Sequence, residues 1–291
     1  MALALLAALA TTSAQSQPAP APTPTVTNVG ANLNITPKRL TFDKSRRSAT
    51  VYIYNQGTAS ATFDITLVDR VMLQDGQIVA VTGTDPAIKA AVEQLKSAKN
   101  ILLVSPRRAT LAPGQGQTIR LRVASVPPDA TGEYRTHLTV TTIPPPSAGI
   151  SAEAAAAGQR GELSFQINAV FGISIPAIVR FSDPDVRATI ANAHIDHEEL
   201  SLDGKAPKRT AVMVFDLDRQ GTSSLFGNVD IRARGQKEPL GFARGLGVYP
   251  EIAKRTVRIP LTREPGSGEK LEITFTDDDT SPGKLLAKLD M

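Results

Sequence analysis

Apolar residues in this chain recur at every second position over short segments broken by turn signals, and no other feature constrains the fold as tightly. Period-two alternation is the mark of a strand with one apolar face and one wet face. "ATVYIYNQGTASATFDITLVD" reads as strand, Asn55-Gln56-Gly57 turn, strand, with Phe63, Ile65 and Leu67 on one face. "ATLAPGQGQTIRLRV" carries a Pro113-Gly114 turn and then a strand with Ile119, Leu121 and Val123 inward. "GEYRTHLTVTTIPPP" is a further strand closed by prolines. The longest row is "LSFQINAVFGISIPA", Leu163 to Ala177, apolar at every odd position up to Ile175. It is about twice the usual strand length, and it follows the Ala/Gly-rich loop "SAGISAEAAAAGQRG". An ordinary buried central strand explains the alternation but not that length.

After Pro176 the pattern restarts. Strands are expected at Arg187–Ile195, Thr210–Asp218, Asn228–Arg234, Leu240–Val248, Arg255–Leu261, Lys270–Phe275 and Leu285–Leu289. Turn signals such as Asp203-Gly204 and Pro265-Gly266-Ser267-Gly268 separate them. One helix interrupts the β pattern. In Pro86 to Lys99, Asp85 suits the cap, Pro86 the first turn, and Ile88, Ala91, Val92 and Leu95 share a face. That face covers part of a sheet or docks a partner. The fold class expected is all-β: two consecutive immunoglobulin-like β-sandwiches with one inserted short helix. The first spans 32–176 and the second 177–291.

The chain has 291 residues, 41% apolar, enough for two ordinary cores. Its net charge of +4 includes no Lys/Arg run interleaved with aromatics, so no nucleic-acid partner is expected. Cysteine is absent, which excludes disulfides and thiolate chemistry. The segment 1–14 reads as an export signal: Ala2 to Ala10 form a short apolar core, followed by the small residues Thr12-Ser13-Ala14. No base precedes that core; the first is Lys38. The alternative is an unprocessed Ala-rich terminus. The segment 15–31, with "QPAPAPTPT", reads as a Pro-rich tether.

Several segments together resemble one family. "VSPRRATLAPGQGQTIRLRV" (Val104 to Val123) resembles the signature of PapD-like periplasmic pilus chaperones: Pro-x-Arg, Leu-x-Pro-Gly, a nearby Gln and an apolar-Arg strand. "GEYRTHLTVTTIPP" is similar to the family's next strand, and "KRLTFDKSRRSATVYIYNQG" to its N-terminal hairpin, with Arg39 where the family keeps an arginine. "FDLDRQGTSSLFGNVDI" looks like the second domain of the archaic branch. The resemblance covers roughly Asn34 to Leu261.

The resemblance implies a periplasmic, non-enzymatic chaperone without cofactor. Its partners would be pilus or fimbrial subunits and an outer-membrane usher. Such subunits are sandwiches lacking one strand, and the chaperone lends its long strand to fill the groove. Leu163, Phe165, Ile167 and Ala169 are the candidate donor residues. Phe171 continues the row, and with Ile173 falls at the domain boundary or in the host's own core. An unpaired apolar edge also invites self-association when no subunit is bound. In the family, an arginine and a lysine clamp the subunit's terminal carboxylate between the domains. Arg39 matches the first, against the bland reading of a solvated surface charge. The lysine would fall at Phe171 or Gly172, and none lies between Gly161 and Pro176. Arg39 alone, or Arg39 with another base such as Arg180, would then hold the carboxylate, unless this chain no longer binds subunits in that way. The other class of function that fits is an exported structural or adhesive sandwich protein.

Other chemistry is thinly supported. "HIDHEE" offers His194 and His197 with no third histidine near, so a solvated hairpin end is expected rather than a metal site. Asp277-Asp278-Asp279 reads as an acidic turn after a strand. His137, mid-strand, reads as structural. No Gly-x-Ser-x-Gly occurs, so no catalytic residues are assigned.

Overall fold

A computed structural model describes residues 33–144, 170–201 and 204–291. The export signal, the tether and the donor residues Leu163, Phe165, Ile167 and Ala169 lie outside the described residues.

The first sandwich faces one sheet, β1-β3-β9-β7, with another, β2-β11-β10-β4-β8. Its strands are β1 (Leu33–Thr36), β2 (Leu40–Phe42), β3 (Ser48–Asn55), β4 (Ala61–Val68), β7 (Leu102–Ser105), β8 (Arg108–Leu111), β9 (Gly116–Val123), β10 (Glu133–Ile143) and β11 (Gly172–Arg180). The inward residues foreseen on β4 and β9 are there: Phe63, Ile65, Ile119, Leu121 and Val123 are buried, and Leu67 packs beside them. Asn55 closes the β3–β4 turn from a buried position. Its amide donates to the carbonyls of Ala59 (2.9 Å) and Leu111 (3.0 Å), and its oxygen accepts from the Gly57 N–H (2.9 Å).

The second sandwich packs β12-β13-β16 on β15-β14-β17-β18. These strands are β12 (Ala188–Leu200), β13 (Lys208–Arg219), β14 (Leu225–Ala233), β15 (Pro239–Val248), β16 (Lys254–Pro260), β17 (Leu271–Asp277) and β18 (Leu285–Asp290). They are the strands that the alternation predicts after Pro176. The all-β expectation with one helix therefore holds.

The helix α1 (Pro86–Gln94) forms with Asp85 as its cap, the carboxylate accepting from the Ala87 N–H at 2.7 Å. It is shorter than the expected Pro86 to Lys99. Leu95 is already extended, and the chain after it pairs with β10: the Arg135 N–H donates to the Lys96 carbonyl (2.8 Å) and the Ala98 N–H to the Arg135 carbonyl (3.1 Å). Strand pairing outcompetes a last helical turn that no glycine cap closes. Ala91 is the helix's buried residue, while Ile88 and Val92 are half-buried.

A second inserted element was not foreseen. The hairpin β5 (Arg70–Met72) and β6 (Ile78–Ala80) turns at Asp75-Gly76, where Gly76 has φ +87°. It leaves the first sandwich and packs Met72 and Ile78 into the second sandwich's core. The Thr256 N–H donates to the Gln74 carbonyl (2.8 Å), so the hairpin also bonds the strand β16.

Behind this hairpin, His137 is 2% exposed and faces Arg135, with Nη1 at 3.2 Å from Nδ1. Burial, then the charges of Arg135 and Arg70, push its pKa down from 6.5 to about 3. The unfolded chain takes up this proton below about 6.5 and the native protein does not until about 3. The stabilising effect of a neutral His137 is thus present above that window and is lost as the pH falls through it. In His137→Gln, the dependence of unfolding free energy on pH is expected to be shallower there, by up to about 1.4 kcal/mol per pH unit. Urea titrations of both proteins across that window measure the difference.

Candidate binding site: a strand edge and an arginine cleft

β11 carries the end of the long alternating row. It pairs antiparallel with β10 over its whole length, from Thr141↔Gly172 to Glu133↔Arg180. On its other side it meets β2, in parallel, only at Ala177, Ile178 and Val179. Among the described residues, the Gly172–Pro176 edge therefore has no strand on that side. Phe171 is held at the start of this edge: the Thr142 N–H donates to its carbonyl (2.9 Å), and its own N–H donates to Thr142 Oγ1 (3.1 Å).

The inner face of the row answers to the first sandwich. Ile175, Ala177 and Val179 are buried in that core, and Ile173 packs against it. Ile178, on the opposite face of the strand, packs in the second core. β11 thus continues beyond Pro176, where the sequence places the domain junction, and its pairing with β10 runs to Arg180.

At the far end of β11 lies a cleft of about 660 Å³, lined by Arg39, Lys44, Arg46, Arg180, Phe226 and Asp279 among others. Arg39 stands on the turn between β1 and β2. Its Nη2 donates to Asp279 Oδ2 (3.1 Å) and Ser224 Oγ (3.3 Å), and its guanidinium lies over Phe226, 4.5 Å from the ring centre. Arg180 donates from Nη2 to the same Asp279 oxygen (2.6 Å) and from Nε to Glu133 Oε2 (3.0 Å). That Glu133 oxygen also accepts from the Ser224 N–H (3.3 Å) and hydroxyl (3.1 Å). Burial would raise the pKa of Asp279, but the charges and hydrogen bonds of Arg39 and Arg180 outweigh it and hold the carboxyl below its usual value. Burial likewise works against the Arg180 charge, and Glu133 and Asp279 reverse it.

The two arginines singled out in the sequence are therefore brought together, but on unequal terms. Arg180 is spent between two carboxylates. Arg39 keeps Nε and Nη1 without partners among the described residues, both enclosed. A buried N–H with no acceptor costs free energy, and an incoming oxyanion would relieve that cost. Its place as a solvated surface charge is excluded: its side chain is 11% exposed. Lys44 and Arg46, which sequence reasoning passed over, stand exposed on the same cleft. Their signal was local: they follow β2 directly, on the loop behind Arg39.

No family model and no curated protein matches the chain. Solved structures similar to it include the YadV chaperone, 11% identical with a TM-score of 0.45, covering 89% of this chain and 98% of that one. The CupB2 chaperone of Pseudomonas aeruginosa is 13% identical with a TM-score of 0.43, covering 88% and 98%. A chain of the CsuC-CsuE chaperone-tip adhesion subunit pre-assembly complex of Acinetobacter baumannii is 13% identical with a TM-score of 0.42, covering 89% and 98%. With identity and TM-score this low, the functional reading rests on the chain's own residues and geometry.

The remaining candidates are occupied. His194 and His197 lie within the long strand β12 rather than at a hairpin end. His197 Nε2 meets Glu264 (3.0 Å), while Asp196 and Glu198 hold Arg258. In the acidic run, Asp277 accepts from the Thr280 hydroxyl (2.6 Å) and the Asp279 N–H (3.2 Å), which shapes the turn, and Asp278 and Asp279 line the cleft.

Proposed function

We propose that this chain is an exported, non-enzymatic chaperone that binds pilus or fimbrial subunits by lending them a strand before they reach an outer-membrane usher. The observation that carries this reading is the β11 edge. Gly172–Pro176 has no strand on its outer side among the described residues, and the same alternating row continues backwards through Ala169, Ile167, Phe165 and Leu163. A subunit missing one strand would gain backbone hydrogen bonds from that segment and pocket contacts from its odd-numbered side chains. Each large side chain buried in this way contributes about 1.5–3 kcal/mol. Arg39 supplies the anchor for the subunit's terminal carboxylate, with Lys44 or Arg46 in the place of the lysine that the strand lacks.

A structural or adhesive sandwich protein is the second reading. Asp279 favours it, because that carboxylate already sits on Arg39. Arg39→Ala separates the two. Asp279 keeps its bond to Arg180 in this variant, so the fold is expected to survive. Capture of a subunit that lacks its own last strand should weaken about tenfold or more, the loss of one charge-assisted hydrogen bond. Unchanged capture, or no capture by the wild-type protein, would overturn the chaperone reading.

A further inference from the structure

On the sheet facing away from β11, we infer a second docking surface, which takes an extended acidic peptide segment of a protein partner. Its floor is the edge strand β7. This strand pairs with β9 through Leu102↔Val123 to Ser105↔Arg120 and has no strand on its other side among the described residues. Two depressions meet along that edge. One, of about 400 Å³, is lined by Leu103, Val104, Ser105, Arg107, Arg120 and Arg122. The other, of about 640 Å³, opens between β7 and the end of β4 that β8 does not cover; Ile65, Leu67, Leu102 and Val104 wall it, with Lys99 and Arg107 on its rim.

The charge is one-sided. Arg107, Arg120 and Arg122 are all exposed, and none of them has an ion-pair partner among the described residues. Asp64, on β4, already faces Arg108 at 3.7 Å, and Asp69, at the end of β4, accepts from the Ser97 and Thr136 hydroxyls. The four strands of the sheet, β1, β3, β9 and β7, contain no Asp or Glu. Like charges held this way repel one another, and carboxylates brought by a ligand relieve the repulsion. Leu103, 41% exposed, lies among these bases. An unpaired edge, an apolar slot and a row of guanidinium groups together suit one kind of occupant. It is an extended segment that adds a strand to β7, puts an apolar side chain between β4 and β7, and directs carboxylates to the arginines. β7 belongs to the other sheet, and β10 separates β4 from β11, so both sites can be filled at once.

The test uses the full chain and an acetylated peptide of alternating leucine and aspartate, labelled for fluorescence anisotropy. Binding is expected, weakening as salt is raised, and the same peptide with lysine for aspartate should not bind. The triple variant Arg107→Gln, Arg120→Gln, Arg122→Gln should lose affinity by about tenfold or more. The charge-matched control Arg209→Gln, Arg234→Gln, Lys237→Gln should not. Bound peptide should slow amide exchange at Leu102–Ser105, which loose electrostatic attraction would leave unchanged. The inference is overturned by equal binding to the triple variant and wild type, by absence of binding, or by unprotected β7 amides. Arginine-dependent binding to anionic phospholipid vesicles but not to the peptide would overturn it too, in favour of a membrane.

Discussion

Glu251→Ala is expected to destabilise the protein by about 3–5 kcal/mol, because it strands a buried guanidinium. Arg135 on β10 is 2% exposed and Glu251, on the loop between β15 and β16, is 7% exposed; they form an ion pair between the two sandwiches. Arg135 Nη2 also donates to the Arg70 carbonyl (2.9 Å), and its guanidinium lies 4.1 Å from the Tyr249 ring centre. The same Glu251 oxygen accepts from the Met72 N–H at 2.9 Å, where the β5–β6 hairpin enters the second core. One carboxylate of the second sandwich therefore holds both Arg135 on β10 and the β5–β6 hairpin. Adding Arg135→Met to Glu251→Ala removes the unpaired charge and should recover at least half of the loss. The remainder, about 1–3 kcal/mol, reflects the Met72 N–H left without an acceptor. Urea unfolding at neutral pH measures all three proteins. A Glu251→Ala protein as stable as wild type would show that the ion pair does not hold the sandwiches together.

The second large effect separates two isoleucines of one alternating row. Ile175→Asp is expected to unfold the first sandwich, since Ile175 is 3% exposed in its core and a lone carboxylate there has no partner. Ile167→Asp, outside the described residues, is expected to leave the melting temperature unchanged and to abolish subunit capture, because the subunit's pocket would have to desolvate the charge. Thermal melts of both variants beside a pull-down with a strand-deficient subunit decide the matter. A melted Ile167→Asp protein would place the whole row in the chain's own core and end the reading of a lent strand.

How far the sequence reaches is clear at particular residues. All seven strands after Pro176 could be read from it, because alternation and the Gly, Pro and Asp that end each run are local properties. So could the Asp85 cap and the buried rows of β4 and β9. Alternation says that a face is buried, but not what covers it. Met72 and Ile78 belong to a hairpin that alternation did not single out, and only the tertiary structure sends them into the other sandwich's core. Arg39 and Arg180 were legible as residue types near a boundary. Their joint hold on Asp279, at a sequence separation of 240 residues from Arg39, was not, because nothing local to an acidic turn signals which cations it will meet. The strand row itself was written in the sequence, down to its alternate residues. Its division, with Ile173 to Val179 turned to a core of this chain and an outer edge left open at Gly172–Pro176, was decided by where β2 stops pairing. That is a matter of register between distant strands, which only the closed sandwich sets.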